Sequence, residues 1–245
     1  MEFSVASDAG LVRSHNEDSF ALLPLPHGAL LAVADGVGGS KSGEVASEIA
    51  TRTFVELLSG PRADGEPDSA LLRQALEAAN ESILEKGQSS EHQGMGTTMT
   101  GAWVSHGLLV YAHAGDSRLY LYRDEVLSRV TQDHSIAQEL VRRGSLLPEQ
   151  AENHPQRHVL TRFLGLHPFN CDEGQEGLRA GDVVLLCTDG LTSALSELEV
   201  RQELAAGFDG VALRLIEAAN RAGGPDNTTV VAVRIEAADA GGTTR

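Results

Sequence analysis

Four aspartates share one local setting: Asp35 follows the apolar run ALLAVA, Asp116 follows LLVYAHAG, Asp189 follows VVLLCT, and Asp226 precedes TTVVAVRI. Each sets a carboxylate at the end of a strand-like segment. Carboxylates gathered at one sheet rim repel and raise one another's pKa, which makes a cation their natural partner. Oxygen ligands select a hard ion, Mg²⁺ or Mn²⁺, and the chain lacks Cys and His at zinc-ligand spacing. Every one of the four also adjoins glycine, as in Asp35-Gly36-Val37-Gly38-Gly39, Gly115-Asp116, Asp189-Gly190 and Gly224-Pro225-Asp226. Glycine allows close backbone approach, so the Gly36 carbonyl can itself reach an ion. A single Asp-Gly pair is equally at home in a hairpin turn. Four at strand ends, beside the cluster Asn16-Glu17-Asp18, point instead to metal chemistry, with Glu17 and Asp18 as direct or water-mediated ligands. Arg13 offers a planar fork for phosphate oxygens. His15 reads as an exposed turn residue.

The elements that must position these groups begin with three short apolar runs, residues 3–7, 19–23 and 29–34, separated by Pro24, Pro26 and Gly28. They read as strands. Residues 44–59 change period, with Val45, Ile49, Thr53 and Leu57 four apart. After the polar loop 60–68, a second helix places Leu72, Leu76, Ala79 and Ile83 on one face. Strands at 98–105, 108–114 and 118–123 have connections too short for parallel crossovers, which predicts an antiparallel meander continuing through the turn Asp124-Glu125. Residues 134–168 are helical in parts (136–143 and 148–152) with little apolar periodicity, and read as a mobile insertion. The last third predicts a strand at 182–188, helices near 196–206 and 211–221, and a final strand at 228–235. The tail 237–245 is small and polar. The predicted class is α+β: a central antiparallel β-sandwich flanked by helices on both outer faces, which brings the four strand ends to one edge.

Length and charge narrow the function. A chain of 245 residues can bury a full core as one domain. With 35 acidic against 19 basic residues, its net charge of −16 suits neither nucleic acid nor an anionic membrane. Cys171 and Cys187 are far apart, and Cys187 lies in an apolar run as a buried thiol, in keeping with a reducing cytoplasm. No stretch approaches the roughly 18 apolar residues of a membrane helix, and MEFSVASDAG lacks the regions of a signal peptide. The expectation is a cytoplasmic protein starting at Met1.

Together the segments SDAGLVRSHNEDSF, AVADGVGG, GMGTTMT, AGDSRLY, TQDHS, LTRFLG, LCTDGLT and GGPDNTTVV, in this order over nearly the whole chain, resemble the metal-dependent Ser/Thr protein phosphatases of the PPM or 2C type, in their bacterial form. The resemblance implies a catalytic domain over 1–236, a flap at 134–168, and a short flexible tail at 237–245. It implies two Mg²⁺ or Mn²⁺ ions, with Asp35 shared between them, Asp189 and Asp226 on one, Glu17 and the Gly36 carbonyl on the other, and Asp18 acting through water. A third, weaker ion would fall to Asp116 and Asp189. Arg13 would grip the substrate phosphate, making Asp35, Asp189 and Arg13 the catalytic set. The implied reaction is in-line hydrolysis of phosphoserine and phosphothreonine in proteins without a phosphoenzyme, opposing a Ser/Thr kinase; no feature of the sequence demands a dimer, and a monomer is expected. In one respect the chain departs from eukaryotic members, which carry histidine directly after the DG of the shared aspartate, proposed as general acid. Here Val37 stands there, and the proton donor is left open.

Rival readings fail on spacing. Gly36 to Gly43 is glycine-rich, but Glu44 stands where a P-loop needs lysine. Gly115-Asp116-Ser117 lacks the final glycine of a serine-hydrolase elbow, since Leu119 occupies it. Pro155 interrupts any helix that would align His154 and His158 on zinc. A catalytically silent binding module would be expected to have lost metal-binding acids, and all are present.

Overall fold

A computed structural model describes residues 1–37, 42–59, 67–151 and 154–237. Within it, the strands that read as unbroken apolar runs are those buried on both faces. β3 (Gly28–Val37) sends Ala29, Leu31 and Val33 to one side and Leu30, Ala32 and Ala34 to the other, all fully buried. This is the period of two expected of a strand. β10 (Val183–Cys187) and β11 (Thr228–Arg234) divide likewise, with Val184, Leu186, Val231 and Val233 facing the same layer as Leu31.

Among the described residues the strands form two sheets. One has the order β1 (Glu2–Asp8), β11, β10, β7 (Arg118–Arg123), β8 (Val126–Arg129). The other runs β2 (Asp18–Leu25), β3, β5 (Met99–Ser105), β6 (Leu108–Ala114), β9 (Asp172–Gly177), with β4 (Gly96–Thr97) paired to the end of β3. Neighbours are antiparallel throughout. The sheets pack through Leu31, Val33, Val104, Leu119, Val184 and Val231.

Helices α1 (Gly43–Leu58) and α2 (Ser69–Lys86) cover the outer face of the second sheet, where Phe54, Leu72, Leu76 and Ile83 meet Leu30 and Trp103. Helices α5 (Asp189–Ala194), α6 (Glu197–Ala205) and α7 (Val211–Arg221) cover the first, packing Leu191, Leu215 and Ile216 on Leu185 and Val230. Each such Leu, Ile or Phe contributes about 1.5–3 kcal/mol by leaving water. α3 (Ile136–Arg142) and α4 (Pro148–Ala151) lie in the segment 134–168. The predicted α+β sandwich flanked on both faces is the fold that forms.

The predicted meander does not form as one sheet. β6 pairs with β5 and β9, whereas β7 pairs with β8 and β10, so the chain changes sheets through Gly115-Asp116-Ser117. A short connection excludes a parallel crossover but not a step between sheets. β9, with the sequence DEGQEG, is a further strand without apolar alternation. It is an edge strand whose charges discourage a further strand from pairing with it. Asp35 lies within β3 rather than at its end, because β4 extends the pairing to Val37. Residues 38–41 of the glycine-rich stretch, 60–66 of the polar loop, 152 at the end of the second short helix, and 238–245 of the tail fall outside the described residues.

Candidate metal centre and active site

Asp18 and Asp35 stand opposite each other in the β2–β3 pair. One Asp18 oxygen, Oδ2, accepts hydrogen bonds from the hydroxyls of Thr188 at 2.8 Å and Thr229 at 2.7 Å, which ties it to the other sheet. Its second oxygen, Oδ1, is buried with no hydrogen-bond partner. A buried acceptor left in this way costs about 1–3 kcal/mol, more when charged. Burial, followed by repulsion from Asp189 and Asp226, pushes the Asp18 pKa up to about 7.

The backbone of Asp35 is clamped on both sides. Its N–H donates to Thr98 Oγ1 at 2.9 Å, and its carbonyl accepts from the Thr97 hydroxyl and the Thr98 N–H, each at 2.8 Å. The carboxylate faces a cleft of about 530 Å³ that is also lined by Glu17, Gly36, Asp116, Asp189 and Asp226. Burial first, then the charges of Asp18, Asp189, Asp116 and Asp226, raise the Asp35 pKa well above the ordinary value. Asp116 is raised in the same direction, by burial and then by Asp189 and Asp133. Burial is also the main cause that lifts Glu17.

The remaining geometry follows from close backbone packing. A Cβ on Gly36 would sit 2.4 Å from the Gly43 carbonyl carbon, and one on Gly43 would sit 3.1 Å from the Glu17 carboxylate. The start of α1 is thus pressed against the end of β3 with Glu17 beside both. Asn227 fastens the loop before β2: its Oδ1 accepts from the Glu17 N–H at 2.9 Å, and its Nδ2 donates to the carbonyls of Ala9 at 2.9 Å and His15 at 2.8 Å. Arg13, on that loop, meets Asp226 Oδ2 through NH2 at 2.7 Å, a bond that raises the guanidinium pKa further. His15 is exposed, as expected.

Of the eight positions singled out in the sequence, Arg13, Glu17, Asp35, Gly36, Asp116, Asp189 and Asp226 line this cleft, and Asp18 is the strand partner of Asp35. Such a set of oxygen donors, with several carboxyl groups forced toward the neutral form and one buried oxygen unpartnered, fits hard divalent cations. Asp116, Asp189 and His158 each offer one ligand atom within 4.8 Å of the others.

His158 went unrecognised as a site residue. Pro155 removes only a helical pairing with His154, and the fold instead carries His158 Nδ1 to 3.5 Å from Asp189 Oδ2. Arg157 lines the cleft beside it. No periodicity signals a contact between residues so far apart in the chain. Thr188, Thr229 and Asn227 did leave a trace, as polar residues flanking apolar strands next to Asp189 and Asp226. Asp133 of TQDHS has a structural place, accepting from Arg118 and Arg129.

A family model for Protein phosphatase 2C matches residues 12–222. The chain is 40% identical over 248 residues to the serine/threonine protein phosphatase PstP of Mycobacterium tuberculosis, covering 99% of this chain and 46% of PstP. It therefore spans about half of that relative's length. With protein phosphatase PhpP of Streptococcus pneumoniae it shares 35% identity over 249 residues, covering 98% of this chain and all of PhpP (100%). The crystal structure of the PstP catalytic domain in complex with two manganese ions superimposes with a TM-score of 0.82 at 38% identity, covering 96% of this chain and 98% of that one. Ordered motifs, two packed antiparallel sheets and an acidic cleft between their strand ends all agree with these matches, and the chain belongs to the protein phosphatase 2C family.

Proposed function

We propose that this chain hydrolyses phosphoserine and phosphothreonine esters of proteins with the help of two Mg²⁺ or Mn²⁺ ions, and that residues 1–236 act as one catalytic unit with 134–168 as a flap. The observation that carries this reading is the meeting of Glu17, Asp35, Asp116, Asp189 and Asp226 in one cleft, backed by the unpartnered oxygen of Asp18. The manganese pair in the PstP catalytic domain supports the choice of ion. Asp35 is assigned to both ions, Asp189 and Asp226 to one, Glu17 and the Gly36 carbonyl to the other, and Asp116 with Asp189 to a third. Ions held there would lower the pKa of water toward neutrality and would neutralise charge on the transferring phosphoryl group.

The protein's own groups do the rest. Arg13 meets Asp226 through one terminal nitrogen, and a guanidinium has five N–H donors, so the remaining ones are open to phosphate oxygens. Asp18, fixed by two threonine hydroxyls, keeps one oxygen to accept a hydrogen bond from water and orient it. Val37 lines the cleft and has no proton to give the leaving alcohol.

No helix among the described residues is long and apolar enough to cross a membrane. On the reading proposed here, the chain acts in the cytoplasm as a monomer on phosphoproteins and opposes a Ser/Thr kinase. Metal-stripped protein is expected to release no phosphate from a phosphothreonine peptide until Mn²⁺ is added. Release that survives metal removal, or none with Mn²⁺ demonstrably bound, contradicts the reading.

A further inference from the structure

Beside the cleft lie three titratable side chains with no part in the mechanism above: His134, Asp172 and Arg162. His134 is fully buried. It holds Gly115, the residue before Asp116, at both polar backbone atoms: the Gly115 N–H donates to His134 Nδ1 at 3.2 Å, and the His134 N–H donates to the Gly115 carbonyl at 2.7 Å. Gly115 has φ 121°, a conformation that side-chain-bearing residues rarely adopt, at the point where the chain changes sheets.

A backbone N–H only donates, so Nδ1 carries no proton and the ring proton is on Nε2. There it faces Asp172 Oδ2 at 3.1 Å. The other Asp172 oxygen accepts from Arg162 NH1 at 2.7 Å. Burial keeps the ring neutral by lowering its pKa. Burial alone would raise Asp172, but the bond to His134 and the Arg162 charge hold it below the ordinary carboxylate range. His134 and Arg162 both belong to the segment 134–168. The same segment is fastened a second time where Leu164 and Thr97 exchange backbone bonds at 3.0 and 2.8 Å, with the Thr97 hydroxyl on the Asp35 carbonyl.

We infer that His134, held as the Nε2–H tautomer by Asp172, is a positioning residue that sets the Gly115-Asp116 turn for cation binding. The inference rests on Asp116 being a ligand. It makes the weakest-bound ion depend on a residue of the proposed flap that cannot itself reach that ion, since both ring nitrogens are engaged. A metal-ligating imidazole is commonly fixed by a carboxylate through its other nitrogen, whereas this carboxylate-fixed imidazole holds the backbone next to a proposed ligand.

The test separates the two ends of the imidazole. His134→Asn keeps an acceptor where Nδ1 stood but cannot reach Asp172. His134→Gln reaches toward Asp172 and leaves the Gly115 N–H without an acceptor. The side chains are similar in size and polarity, so a general loss of fold would strike both alike. Mn²⁺ is titrated by calorimetry into the metal-stripped full chain, with Asp116→Asn as reference. The expected result is that Asp116→Asn loses the weakest Mn²⁺ and His134→Gln weakens it about tenfold or more, while His134→Asn stays near the parent. Asp172→Ala, at a half-exposed position, is expected to weaken the same ion. In the His134→Gln enzyme, half-saturating Mn²⁺ rises while KM for the phosphopeptide at saturating metal does not. His134→Asn and His134→Gln binding alike, while Asp116→Asn is defective, overturns the inference. If Asp116→Asn binds Mn²⁺ like the parent, the ligand assignment falls first and the inference with it.

Discussion

Asp18 and Arg13 show how single residues fit the site for charge that arrives from outside the chain. Asp18 has one oxygen held by two hydroxyls and the other unpartnered, so it is constrained in direction yet unsatisfied. Arg13 is about half exposed and tied to Asp226 at one nitrogen, which aims its remaining donors over the cleft. Charge-assisted hydrogen bonds contribute about 1.5–3 kcal/mol. Arg13→Ala is therefore expected to lower kcat/KM for a phosphopeptide about ten- to hundredfold without unfolding the protein. Steady-state kinetics at saturating Mn²⁺ checks this, and an unchanged kcat/KM would remove Arg13 from phosphate binding. The carboxylates and Arg13 could be read in the sequence because each adjoins a recognisable apolar run or acidic cluster. His158, Arg157 and His134 could not, because their places depend on how 134–168 folds back over the sheet edge.

At the scale of elements, the strands that carry the site were legible where they are buried on both faces, since such a place is filled mainly by an apolar run. β3, β10 and β11 all satisfy this. β9 was illegible because an acidic edge strand has no apolar face to reveal. The change of sheet at Gly115-Asp116-Ser117 was illegible because loop length does not say which sheet the next strand joins. The join between β3 and α1 carries its own prediction. Gly36 accommodates the Gly43 backbone where a Cβ would sit, so Gly36→Ala must push the start of α1 away from β3 and disturb Glu17 with it. Overpacking of this kind costs about 1–3 kcal/mol. Gly36→Ala is expected to melt earlier and bind Mn²⁺ more weakly, by thermal unfolding and calorimetry. Parent-like values in both would show that the close approach is not needed.

For the molecule as a whole, apolar layers hold the fold and one sheet edge gathers acids that a neutral protein interior would reject. In the metal-free protein the pKa of Asp18 is raised from the ordinary carboxylate range to about 7, and Asp35 and Asp116 are raised by the same causes. The sign follows from linkage. A carboxyl group whose folded pKa lies above its unfolded value adds stability at low pH that is lost as pH rises through the folded value. For Asp18 that window runs from about pH 4 to about pH 7. Cation binding requires the deprotonated ligands, so its contribution grows over the same range. At a hundredfold excess over its dissociation constant, one ion adds about 2.7 kcal/mol, or about 5–10 °C for a chain of this size.

The most direct measurement is thermal unfolding of metal-stripped protein at pH 5 and pH 8, with and without Mn²⁺. The predicted result is a Mn²⁺-induced rise in Tm that is large at pH 8, small at pH 5, and largely lost at both in Asp35→Asn. A Tm indifferent to Mn²⁺ at pH 8, or a rise that Asp35→Asn retains in full, would contradict the assignment of this acidic edge as a metal centre.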